Sequence, residues 1–182
     1  FYSIFRSIKS TVPACYDSIN VNGETIKRKR SAKYLGLTFD EVLSWRHHVE
    51  KLLSELSRYF YLFYNLRKVL PQKFKLQLFS SYVYSRVSYG LHCYGVARDC
   101  IVNPVKVICN KLLKILLLKD RRYPTNDLFK ECKMLKFDDL KNVTACKFVH
   151  KSVYPDAETP VQVKKHISGS GLCGLRSRRV GR

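Results

Sequence analysis

Acidic residues are scarce in this sequence. Among 182 residues, 14 Asp and Glu stand against 34 Lys and Arg, for a formal net charge of +20. Ordinary surfaces mix both signs, so the imbalance predicts attraction to a polyanion, nucleic acid before an anionic membrane surface. Long apolar runs are missing too. A membrane span needs about 18 or more such residues, and the stretch from Leu112 to Leu118 is short and interrupted by Lys114. There is no CxxC pair. The seven cysteines, at 15, 93, 100, 109, 132, 146 and 173, are neither dense nor regularly spaced, which fits reduced thiols in a nuclear or cytoplasmic protein better than a disulfide framework. Cys132-x13-Cys146-x3-His150 offers three metal ligands at poor spacing, so no metal site is assigned. The chain starts at Phe1 and shows no signal-peptide pattern. Both ends read as cuts through a longer reading frame.

What is present is enough for a folded core. Apolar residues make up 46% and aromatics 13% of the chain, which excludes a disordered polyelectrolyte. The charge is uneven: residues 71–123 carry ten Lys and Arg against two acids, 161–182 carry six against none, and 124–160 balance at six and six.

Along the chain, 1–5 reads as a strand and 7–17 as a polar connection. Asn22-Gly23 between Ile19-Asn20-Val21 and Thr25-Ile26 is a hairpin signal. The run Lys27-Arg28-Lys29-Arg30 reads as a solvated basic loop or a nuclear-localisation patch. A strand over 33–39, interrupted by Gly36, then completes a small antiparallel layer. At its end Asp40 and Glu41 place negative charge near a helix start, and Ser44 is a candidate N-cap. From Arg46 to Leu70 the period is helical, with Val49, Leu52, Leu53, Leu56, Phe60, Phe63, Leu66 and Leu70 in one stripe. Pro71 ends that helix. A second, over 72–89, buries Leu76, Phe79, Val83 and Val87, and Gly90 and Gly95 break it. Asn103-Pro104 predicts a helix start, with Val105, Ile108, Leu112, Ile115 and Leu116 inward as far as Leu118. A basic turn over 119–124 follows. Thr125 is expected to cap a short helix to about 133, and Asp138 another from Asp139 to about Lys151. After Pro155 the Gly, Ser and Arg texture suggests an extended tail. The fold class is therefore α+β, a small N-terminal antiparallel β layer followed by a mostly α-helical bundle.

Catalytic chemistry is hard to place. Asp138-Asp139 opens a helix, and Asp40-Glu41 sits at a strand end. His47-His48 are adjacent, so they point to different helix faces and lack a third ligand nearby; they read as surface or junction residues. No Cys–His pair comes with an orienting partner.

Four pieces in order carry a resemblance. They are Tyr34-Leu35-Gly36-Leu37 with Phe39-Asp40 and Leu43-Ser44-Trp45-x-x-His48; Leu66-Arg67-Lys68-Val69-Leu70-Pro71; Phe79 through Ser85 with Ser88-Tyr89-Gly90; and Ile108 through Ile115. As a series over roughly residues 1–150 they resemble the reverse transcriptases of non-LTR (LINE-type) retrotransposons, from the end of the catalytic palm through the thumb.

The resemblance implies an end of palm over 1–43, a thumb-like helical lobe over 44–123, C-terminal helices over 124–154 and a basic tail over 155–182. It implies that Tyr34, Leu35 and Gly36 are primer-grip residues. A thumb holds a duplex by its backbones, so Lys33, Lys106, Lys111, Lys114, Lys119, Arg121 and Arg122 become the candidate nucleic-acid contacts. The family's metal-holding aspartates, an aromatic, a small residue and then Asp-Asp in a hairpin, have no counterpart here. Catalytic residues and bound cofactors are accordingly expected to be none in this chain, with Mg2+ in the palm of the parent polymerase. The implied partners are an RNA template with its DNA primer and the rest of that polymerase, with no membrane, in the nucleus or the cytoplasm. The alternative is a free-standing basic nucleic-acid-binding module, a domesticated remnant of such an element. The zinc-knuckle arrangements of many relatives are not visible.

Overall fold

Two short hairpins occupy residues 18–40. In a computed structural model that describes residues 2–11, 13 and 16–153, β1 (Ser18–Val21) pairs antiparallel with β2 (Glu24–Lys27), Val21 opposite Glu24. Asn22 and Gly23 both have positive φ, 52° and 87°, as a type I′ turn requires. The expected hairpin is present. Residues 33–39 differ from the single strand expected. β3 (Ser31–Tyr34) folds back on β4 (Leu37–Asp40), Tyr34 opposite Leu37, so Leu35 (φ 45°) and Gly36 (φ 78°) are the two residues of a turn. The β layer is thus two separate two-stranded sheets. Of the strand expected over 1–5, the described residues keep one parallel bridge, Tyr2 with Arg28. The tail expected over 155–182, and Cys173 with it, lies outside the described residues.

The corner after β4 is made by Asp40. Its carboxylate accepts hydrogen bonds from the backbone N–H of Ser44 (3.0 Å) and of Trp45 (3.1 Å), while its carbonyl accepts from Leu43 N–H (2.9 Å). These bonds hold Leu43 and Trp45 at φ 52° and 64°, a left-handed region costly for a residue with a β-carbon. Ser44, the expected N-cap, is displaced: Trp45 occupies the cap position of α1 (Arg46–Ser57), and the Ser44 hydroxyl accepts from Arg46 N–H at 3.3 Å.

The helix expected over 46–70 is broken into α1 and α2 (Tyr59–Leu66), Arg58 between them keeping right-handed dihedrals. The stripe is as phased: Val49, Leu52, Leu56 and Phe63 are buried. The helix expected over 72–89 is continuous but irregular, with α3 (Gln72–Phe79), a π segment (Ser80–Tyr84) and α4 (Ser85–Ser88). Serine hydroxyls at 81, 85 and 88 donate to the carbonyls of Gln77, Ser81 and Tyr84, competition that loosens a helical ladder. Gly90 (φ 65°) then turns the chain into α5 (Leu91–Tyr94).

Asn103-Pro104 does not begin the next helix. α6 runs Asp99–Leu116 with Pro104 inside it. The proline removes the hydrogen bond to the Cys100 carbonyl and its ring crowds that carbonyl, a cost that burial of Val102, Val105, Ile108, Cys109, Leu112, Leu113 and Leu116 outweighs. α6 packs against both α1 and α2, and α1 also packs against β4. α7 (Thr125–Glu131) follows, with Pro124 and not Thr125 at its cap. The chain divides into two compact units after Met134. In the second, α8 (Phe137–Val153) starts two residues earlier than expected, so Asp138 is not its cap. Both Asp138 and Asp139 lie in the first turn, where negative charge meets the positive end of the helix dipole.

Leu56 is fully buried, whereas Glu55 next to it pairs with Arg86 near the surface. Leu56→Ala should cost about 2–5 kcal/mol, and Glu55→Ala less than about 1 kcal/mol, by urea denaturation. Equal costs would mean that the stripe is misphased.

Candidate nucleic-acid interface

The proposed primer-grip residues sit at the tip of the second hairpin. Tyr34 and Leu35 are 66% and 70% exposed, so their side chains are available to a ligand and do little for the core. The turn is latched from below: Tyr89 Oη donates to the Leu35 carbonyl at 2.5 Å. Gly36 faces the same ring, and a β-carbon there would lie 3.3 Å from Tyr89 Cε1. Gly90 closes the contact, since a β-carbon on it would come within 2.6 Å of Leu37 Cδ2. Two glycines with positive φ therefore let the hairpin and the α4–α5 corner interlock.

Beneath the turn is a cleft of about 380 Å³ lined by Lys33, Gly36, His48, Lys51, Leu52, Glu55, Ser85, Arg86 and Tyr89. Of the candidate residues, Lys33 and Gly36 are brought together here. Lys51 and Arg86, which sequence reasoning did not select, join them. His48, Lys51, Leu52 and Glu55 are spaced three to four apart on α1, a periodicity that puts them on one face; the signal was present but could not be tied to the hairpin.

The other candidates gather at the C-terminal end of α6, in a different state from that expected. Lys114 Nζ donates to the Arg121 carbonyl at 2.9 Å. Lys119 is ion-paired with Glu131 at 2.7 Å and lies over the Tyr123 ring; the hydrogen bond it donates to Glu131 raises its pKa. Tyr123 Oη also donates to Glu131. Lys111, Arg121 and Arg122 are exposed. Lys106 lies five residues from Lys111, about 140° round the helix, so the two do not share a face. The 27–30 run is likewise partly committed. Arg28 is no solvated residue: its guanidinium donates to Glu41 at 2.6 Å and lies 3.5 Å from Asp17, and Arg6 donates to Glu41 at 3.0 Å. The Arg6 hydrogen bond, with that of Arg28, holds the Glu41 carboxyl below its usual range against the effect of burial. Asp40 is also lowered; burial opposes this, but the donors at Ser44 and Trp45 prevail.

The adjacent pair His47-His48, expected at the surface or the junction, divides. His47 is exposed, but His48 is buried within a run of rings: Phe39 to Trp45 at 5.0 Å, Trp45 to His48 at 6.3 Å, His48 to Tyr94 at 5.1 Å between centroids. Its Nδ1 is buried without a partner. Burial, with Lys51 nearby and Glu55 opposing, depresses its pKa. The unfolded chain therefore takes up this proton more readily than the folded one, and stability falls as pH drops below about 6.5. His48→Phe should flatten the decline in melting temperature between pH 7.5 and 5.5. An unchanged decline would mean that His48 titrates as in solvent.

Among the described residues no three His, Cys, Asp or Glu side chains gather to hold a metal ion, and no helix is long and apolar enough to cross a membrane. No protein-family model matches the chain, and no solved structure does. A curated protein does: the sequence is 24% identical over 144 residues, 76% of this chain, to the RNA-directed DNA polymerase from the mobile element jockey of Drosophila melanogaster. The chain spans 16% of that protein's length. The similarity is distant, and it supports a relationship to the reverse transcriptases of LINE-type retroelements.

Proposed function

We propose that this chain is a non-catalytic part of a retroelement RNA-directed DNA polymerase that grips a template–primer duplex by its backbones. The observation that carries the reading is the similarity to a mobile-element polymerase along 76% of the chain. The net charge of +20 supports a polyanionic partner. In this reading 1–43 ends the palm, 44–123 forms the thumb, 124–154 supplies following helices, and the protein works in the nucleus, the cytoplasm or both. In this reading Mg2+ would be held by the palm of the parent polymerase. Tyr34, Leu35 and Gly36 would bear on the last nucleotides of the primer, their backbone kept in place by Tyr89.

Of the cations at the end of α6, Lys111, Arg121 and Arg122 are those left to meet phosphates, whereas Lys119 is already matched by Glu131. For an RNA–DNA duplex held through about five phosphates, a tenfold rise in salt should lower affinity by about four orders of magnitude. Replacing Lys111, Arg121 and Arg122 with Gln should reduce the slope of log affinity against log salt by about 2 to 3, while Lys119→Gln leaves it nearly unchanged. Fluorescence anisotropy at a series of salt concentrations measures both. A salt-insensitive affinity would sink the duplex reading.

The grip is tested separately by photocrosslinking. A 5-iodouracil in the last two primer positions should crosslink within 34–36, and one placed in the distal duplex should not. Crosslinking to another segment alone would remove the primer-grip assignment. Gly36→Val is a poor probe, because its φ of 78° strains any β-carbon.

A further inference from the structure

We propose that the cleft beneath the 35–36 turn is a phosphate site, and that it seats a backbone phosphate of the bound nucleic acid. The identity of the phosphate rests on the proposed function; the pocket does not. Its lining is unlike that of an ordinary crevice. Three cations, Lys33, Lys51 and Arg86, come to it from the hairpin, α1 and α4, against one acid, Glu55. At about 380 Å³ it lies at the small end of ligand-sized cavities.

Each wall has a physical reason to present a donor. Glu55 takes Nη1 of Arg86 at 2.5 Å, fixing the guanidinium and leaving the rest of its planar fork for another acceptor. The Tyr59 ring, 5.8 Å from Arg86 Cζ, flanks the same group. Lys51 stands one turn after His48 on the same face of α1 and carries a mobile point charge.

His48 supplies the second, independent observation. It is 9% exposed, it lines the cleft, and its Nδ1 is enclosed without a partner. Because the ring lines the cleft, a phosphate seated there would lie against it and change its surroundings. The mouth stays open because Gly36 has no side chain to fill the space against Tyr89. A strand passing over the exposed Tyr34-Leu35 tip could set a phosphate into the cleft without any contact to a base, which suits sequence-independent binding.

The test uses the full 182-residue chain. Imidazole NMR signals of His48 are followed while inorganic phosphate, and separately a short RNA–DNA duplex, are added at constant ionic strength. Saturable shifts with both are expected, with no shift from chloride. Lys51→Gln with Arg86→Gln should abolish the phosphate shift and weaken duplex affinity at least tenfold more than Lys111→Gln with Arg122→Gln, which removes equal charge outside the cleft. If the duplex binds with normal salt dependence but His48 does not respond, the phosphate site is overturned and the duplex reading survives. If phosphate shifts His48 while the duplex fails to bind at any salt, the proposed function falls, and with it the assignment to a nucleic-acid phosphate. Equal losses from the two double variants would also overturn the proposal. The wild-type titration decides even if a variant does not fold.

Discussion

One carboxylate sets the direction in which the chain leaves the β layer. Asp40 ends β4, and its oxygens collect the N–H groups of Ser44 and Trp45, donors that a helix N-terminus otherwise leaves unpaired. The bonds also hold Trp45 in a left-handed conformation that its side chain disfavours. With the chain turned this way, the Trp45 ring meets Phe39 on one side and His48 on the other. β4 then lies against α1, and α1 can bury Val49, Leu52 and Leu56 against α6. Without that corner the hydrophobic stripe of α1 would have no fixed relation to the hairpin.

The hairpin is fixed a second time from the other side. Tyr89 bonds the Leu35 carbonyl, while Gly36 and Gly90 remove the β-carbons that would push the two segments apart. The turn is thus exposed at its tip and anchored at its base. That combination suits a contact surface, since exposed side chains on a held backbone bind without first ordering a loop. The anchored base also creates the cleft, because the hairpin stands on α1 and α4 without filling the space between them. His48 belongs to both structures at once, since it joins the aromatic run and lines the cleft.

Charge is divided between structure and surface. Arg6 and Arg28 are used to hold Glu41, a buried carboxylate that needs more than one partner to offset its lost hydration. Lys119 is used by Glu131 and Lys114 by a carbonyl. A net charge therefore overstates the number of cations ready for a polyanion. Those at the exposed end of α6 and those that converge on the cleft are of different kinds. The first are solvated and general; the second are arranged around a small volume.

Much of the local structure was legible in the sequence. Asn22-Gly23 determined a hairpin because only residues tolerant of positive φ make that turn easily, and the apolar period from Val49 to Phe63 determined which helix face is buried. The fold class followed from these two signals. Boundaries read from single residues were less secure. Pro104 stands inside α6 because the burial of Val102 and Val105 is a tertiary gain that no cap rule contains, and the cap position expected at Ser44 falls to Trp45, whose N–H the Asp40 carboxylate accepts. The candidate site divided in the same way. The basic character of the chain is a property of the sequence itself, fixed by side-chain charge, whereas the exposed turn at Leu35-Gly36, where a single strand was expected, came from the fold. That Lys33, His48, Lys51 and Arg86 surround one cleft was decided only by tertiary structure, because residues 33 and 86 meet through the packing of a hairpin on two helices, and no local rule relates positions so far apart in the chain.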